Sequence, residues 1–132
     1  AVSVAGSSSA MLASAKQKGD LNLSKTSTLP RVHGLILYSP GHVGVYVGGN
    51  MSVDNRCTGQ NVRYEKVIGG KYHWAKWFKL PQLHYPTDGF VTVNGKRYYY
   101  ENGQYIASTT RSVGGVAYAF GATGAVTASV PA

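Results

Sequence analysis

His42 follows Pro40-Gly41 at the head of the run HVGVYVG, and Asp54 lies in the next apolar-alternating run, MSVDN. An imidazole beside a carboxylate is the base-and-orienter half of a nucleophile, base and acid arrangement. The carboxylate fixes the ring tautomer and stabilises the charged ring while a proton passes through it. A strand turns successive side chains to opposite faces, so His42, Gly44 and Tyr46 share one face and Val43, Val45 and Val47 the other. The valine face is expected to be core. A tight GGN turn without a bulge is expected to bring Ser52 and Asp54 to the face of His42, with Asp54 opposite or diagonal to it. A one-residue slip in register is expected to break that geometry.

The third member of such a set would be a nucleophile. Cys57 is the single cysteine, which excludes an intrachain disulfide framework and a cysteine-based zinc site. A reactive thiol needs a helix start or a cation to lower its pKa. No helix start is evident at Cys57, so it reads as a small, semi-buried side chain. No metal or cofactor is expected. A second group of functional residue types is the stretch KYHWAKWFKLPQLHYP, where Trp74, Trp77 and Phe78 stand among lysines and histidines. These rings either close a small core or line an aromatic, basic substrate groove.

Several elements must hold these residues. Ser7, Ser8 or Ser9 can cap a helix over AMLASAKQK, with Met11, Leu12 and Ala15 on one face, Lys16 and Lys18 in the last turn and Gly19 as the stop. From Gly34 the apolar period is two: GLILY, HVGVYVG and MSVDN read as an antiparallel meander, and NVRYEKVI as a further strand. After Pro86 come Asn94-Gly95 and Asn102-Gly103, each the favoured centre of a type I′ hairpin turn. Matching Gly95 to Gly115 pairs Tyr98 with Tyr118 and Tyr100 with Phe120, and one inserted residue then pairs Gly103 with Gly124, an offset of 20 to 21 residues. A repeat of this length reads as stacked hairpins, none able to bury its aromatic face alone.

Composition bounds the class. The chain has 132 residues, 43% hydrophobic and 14% charged, so it is neither a solvated disordered chain nor a set of bilayer-spanning segments. Thirteen Lys and Arg against five Asp and Glu give +8, which favours a polyanionic neighbour. The cations are scattered, and no zinc-finger, RNP or P-loop pattern is present, so a nucleic-acid partner is not expected. The Ala1 start, without a basic and apolar leader, is consistent with a processed product or a fragment.

The stretch LPRVHGLILYSPGHVGVYVGGNMSVDNRCTGQNVRYEKV, followed by HWAKWFKLP, resembles the C-terminal half of an NlpC/P60 cysteine peptidase domain. The resemblance implies a papain-like α+β fold over residues 1–85: an antiparallel sheet with one N-terminal helix. It makes His42 the general base and Asp54 the orienting member, and it puts Trp74, Trp77 and Tyr46 at the substrate. The family's nucleophilic Cys lies on a helix start upstream of the GHVG strand, and residues 1–41 contain none. The implied nucleophile therefore comes from an upstream segment or a second chain.

TDGFVTVNGKRYYYENGQYIAS and GVAYAFGATGAVTAS resemble choline- or glucan-binding cell-wall repeats. That implies a wall-binding module over residues 86–132, with Phe90, Tyr98, Tyr100, Tyr105, Tyr118 and Phe120 facing the ligand. Together the two resemblances imply a peptidoglycan hydrolase such as a phage endolysin, tail lysin or secreted autolysin. Its partner would be the bacterial wall, through peptidoglycan, choline or teichoic acid, and its place extracellular, wall-associated or phage-encoded. The competing expectation is a non-catalytic wall-binding or phage structural module.

Overall fold

The structure, a computed structural model, describes residues 8–54 and 62–132. Cys57 and the first residues of the chain, Ser7 among them, lie outside the described residues. The chain forms two compact units that divide between His84 and Tyr85.

The first unit is built on one six-stranded sheet. In chain order its strands are β1 (Lys18–Asp20), β2 (Ile36–Ser39), β3 (His42–Gly48), β4 (Met51–Asp54), β5 (Arg63–Lys66) and β6 (Lys76–Phe78). Their order in the sheet is β1-β6-β2-β3-β4-β5, and every pairing is antiparallel. The meander β2 to β5 follows from short apolar-alternating runs separated by turn residues. β6 then returns to the free edge of β2, so that Leu37 faces Trp77, and β1 closes that edge.

The expected α+β class is overturned. Among the described residues there is one α-helix, α1 (Ser8–Ser14), against twelve strands, and the architecture is that of a small β-rich protein rather than a papain-like domain. The helix is also shorter than its apolar spacing predicted. Lys18–Asp20 hydrogen-bond to β6 instead of continuing the helix, and Gly19, expected as the stop, lies within β1 opposite Trp77. The helix ends where Ser14 Oγ donates to the Met11 carbonyl, and the Leu12 carbonyl accepts from both the Ala15 N–H and Lys18 Nζ, which satisfies acceptors of the last turn. Met11, Leu12 and Ala15 pack on Ile36, Phe78 and Leu80, beside Tyr38 and Val43. No helix is long and apolar enough to cross a membrane among the described residues.

The expectation of a valine core is also corrected. In β3 the buried positions are Gly44, Tyr46 and Gly48, whereas Val45 is 39% exposed. The opposite face carries Leu37 and the fully buried Ser52, with Trp74 packed against Gly44.

The second unit repeats one plan. β7 (Gly89–Val93), β8 (Lys96–Glu101) and β9 (Gln104–Tyr105) form one three-stranded sheet; β10 (Thr109–Val113), β11 (Val116–Phe120) and β12 (Val126–Pro131) form another. Val93 faces Lys96 across Asn94-Gly95, and Val113 faces Val116 across Gly114-Gly115. Both residues of each turn have positive φ, as type I′ requires. In the third strands Tyr105 faces Tyr100 and Val126 faces Phe120, so the connection is one residue longer in the second copy, and a separate register shift lies at Ala119/Phe120.

Candidate functional site

His42 and Asp54 are brought together. Nε2 of His42 lies 2.8 Å from Oδ2 of Asp54, whose side chain is fully buried, while that of His42 is 18% exposed. The route to this contact differs from the expected tight, unbulged turn. Gly48 faces Met51, but the next aligned pair is Tyr46 with Ser52, so Val47 is an extra residue in β3. A ladder without the bulge would set Asp54 opposite Val45, on the wrong face. The bulge shifts the pairing by one and carries Asp54 to the face of His42. The bulge is held where Gly48 has φ +88 and a Cβ would come within 2.6 Å of the His33 ring.

Aromatic rings wall the pair. Trp74 is 2% exposed and stacks on His42, with ring centroids 5.7 Å apart and planes 15° from parallel. Tyr72 meets His42 edge-on at 5.7 Å and Trp74 at 4.6 Å, and its hydroxyl hydrogen-bonds Ser39 Oγ at 2.9 Å. Gly44 is what lets the indole lie down: a Cβ there would stand 2.8 Å from Trp74 Cη2 and 3.1 Å from the Asp54 Cβ. Sequence reasoning missed Tyr72 and Ser39. The available signal for Ser39 was its position directly across the Pro40-Gly41 turn from His42.

With Nε2 taken by the carboxylate, Nδ1 is the imidazole nitrogen left to accept a proton, and no thiol or hydroxyl hydrogen-bonds to it among the described residues. Trp74 also lines an open groove of about 660 Å³ between residues 21–24 and 69–75, whose polar lining includes Asn22, Ser24 and His73. The other two expected substrate contacts are placed apart from the imidazole. Tyr46 is 3% exposed and its hydroxyl accepts the Asn50 N–H inside the β3–β4 turn, and Trp77 is half-buried opposite Leu37. No group of three or more His, Cys, Asp or Glu side chains is placed to hold a metal ion among the described residues.

The six aromatic positions of the second unit divide by burial. Tyr98, Tyr100, Tyr105 and Phe120 are 1–9% exposed and make the core of that unit. Phe90 and Tyr118 are half-buried and meet edge to face at 4.9 Å. Tyr99, which the sequence reading passed over, lies opposite Phe90 in register and contacts it at 4.9 Å. The Arg97 guanidinium lies over Phe90, 4.0 Å from its centroid, and 5.4 Å from that of Tyr118.

Compared with known proteins, the chain matches no family model, no curated protein and no solved structure.

Proposed function

We propose that this chain is the base-and-orienter portion of a peptidoglycan hydrolase that cleaves stem-peptide amide bonds, joined to a unit that holds the bacterial wall. The observation that carries the reading is the 2.8 Å contact between His42 Nε2 and the buried carboxylate of Asp54. In this reading Asp54 holds the ring with its proton on Nε2. Nδ1 takes the proton of a cysteine thiol as the thiolate attacks the amide carbonyl, then returns it to the leaving amine. Water, deprotonated by the same nitrogen, resolves the acyl-enzyme. The thiolate is supplied by a further segment or a second chain. Trp74 and Tyr72 keep the ring upright, and the groove beside Trp74 receives the peptide. The GHVGVYVG resemblance and the +8 charge, suited to an anionic wall, support the same reading.

A second reading, a non-catalytic wall-binding or phage structural module, is favoured by the lack of a cysteine in residues 1–41, ahead of the GHVG strand. Incubating the gene product that contains this chain with purified peptidoglycan separates the two. Release of new amino groups that is lost with His42→Ala is expected. Retention on the wall without release, in wild type and variant alike, would establish the second reading.

A further inference from the structure

We infer that the aromatic cluster of the C-terminal unit fills its cation position with its own Arg97, and that this stacked guanidinium is a binding site for an oxyanion, phosphate or carboxylate, carried on a wall polymer. The inference rests on the wall-associated reading above and names the ligand class of its binding unit.

A quaternary ammonium is recognised through the open face of an aromatic ring. At Phe90 the Arg97 guanidinium stands over the ring at 4.0 Å and also reaches Tyr118, the ring from the other hairpin. Tyr99 meets Phe90 from the cross-strand side. With four of the six expected ligand-facing rings buried in the core, no free cage is left for choline here.

The charge of Arg97 is uncompensated. The unit contains two acidic side chains, Asp88 and Glu101. Glu101 receives two hydrogen bonds from Arg111, each 2.8 Å, and Asp88 accepts the Asn102 N–H. Arg97 makes no ion pair among the described residues and is exposed, with the exposed Thr92 opposite it in register. A guanidinium resting on a ring keeps its N–H edge free, and its planar fork matches the two oxygens of a phosphate or carboxylate. Stacking also fixes the side chain beforehand, so less freedom is lost when the anion arrives.

The test uses the full chain and two immobilised probes, polyglycerol phosphate and polygalacturonate, with neutral dextran as control and choline chloride as competitor. Because the whole chain is basic, Arg97→Gln is compared with Lys96→Gln, which removes the same charge from the exposed neighbour that stacks on no ring. Arg97→Gln is expected to weaken retention about tenfold, the scale of a lost charge-assisted bidentate contact, and Lys96→Gln less than twofold. Choline is expected to displace nothing, and the better of the two probes identifies the oxyanion. Equal weakening by both variants, elution by choline, or equal retention on dextran would overturn the inference. Amine release from peptidoglycan is read separately: cleavage without Arg97-dependent retention defeats this inference alone. Arg97-dependent retention without cleavage defeats only the hydrolase.

Discussion

His42 and Asp54 meet at 2.8 Å across β3 and β4, and the residue that makes this possible is Val47, which touches neither partner's role directly but is the extra residue that shifts the ladder by one position.

Deleting Val47 therefore tests the site without touching either partner. The unbulged ladder turns the carboxylate to the valine face. In the intact chain the ¹⁵N resonances of His42 are expected to show a single tautomer protonated at Nε2; in the deletion they should shift to the averaged values of a free imidazole. Hydrolysis that depends on His42 should fall about 100-fold or more, the scale of a general base lost. An unchanged tautomer would refute the role of the bulge.

Gly44→Ala places a methyl group 2.8 Å from the Trp74 ring and 3.1 Å from Asp54 Cβ. Neither neighbour can yield freely, because Trp74 is 2% exposed and the Asp54 side chain is fully buried. Overpacking of this kind costs about 1–3 kcal/mol. A lower urea midpoint, with tryptophan emission moved to the red as the indole is expelled, is the expected result.

Tyr72→Phe removes the hydroxyl that pairs with Ser39 Oγ, and Ser39 is 6% exposed. A buried hydroxyl left without its partner costs about 1–2 kcal/mol. Ser39→Ala in the same chain should restore part of that loss, and a double-mutant cycle in urea measures the coupling, expected at about 0.5–1.5 kcal/mol. Strict additivity of the two changes would show that the bond contributes nothing.

Burial lowers the pKa of His33 from 6.5 to about 4. The unfolded chain takes up the proton at the ordinary value while the folded chain resists it. Stability is therefore fully present above pH 6.5 and is lost as pH falls through 4. With the partial exposure of the ring allowed for, the loss is on the order of 1–2 kcal/mol. Urea midpoints of wild type and His33→Phe, compared at pH values above and inside this window, should show wild type losing stability relative to the variant as the pH drops. Parallel curves would count against His33 as the source.

Much of the scaffold was legible because its signals are local. Asn94-Gly95 and Asn102-Gly103 form their turns within four consecutive residues, and the meander from GLILY to NVRYEKV follows an alternation that neighbours alone can set. The helix end was not legible. Lys16 and Lys18 suit a helix terminus, but the edge of β6, far along the chain, offers Lys18–Asp20 a better set of hydrogen bonds. The buried face of β3 was misread for a similar reason: glycine carries no hydropathy signal, and Gly44 is buried only because Trp74 covers it. For the His42–Asp54 pair, the residues could be named from their types. Their meeting depended on one bulged residue, which alternation cannot reveal. In the second unit the triple tyrosine run hid a division of faces, Tyr98 and Tyr100 inward and Tyr99 toward Phe90, that only the register with β7 resolves.

The two margins of the six-stranded sheet bear on how the protein behaves when concentrated. An open strand edge is a template on which another chain can add itself. Here one margin is β1, three residues long, with Lys18 and Asp20 at its ends and Asp20 hydrogen-bonded to Lys76. The other is β5, four residues long, three of them charged. Neither offers a long, flat, apolar edge. A sheet bounded in this way resists edge-to-edge aggregation even where Val45 and Tyr64 leave apolar surface on its outer face.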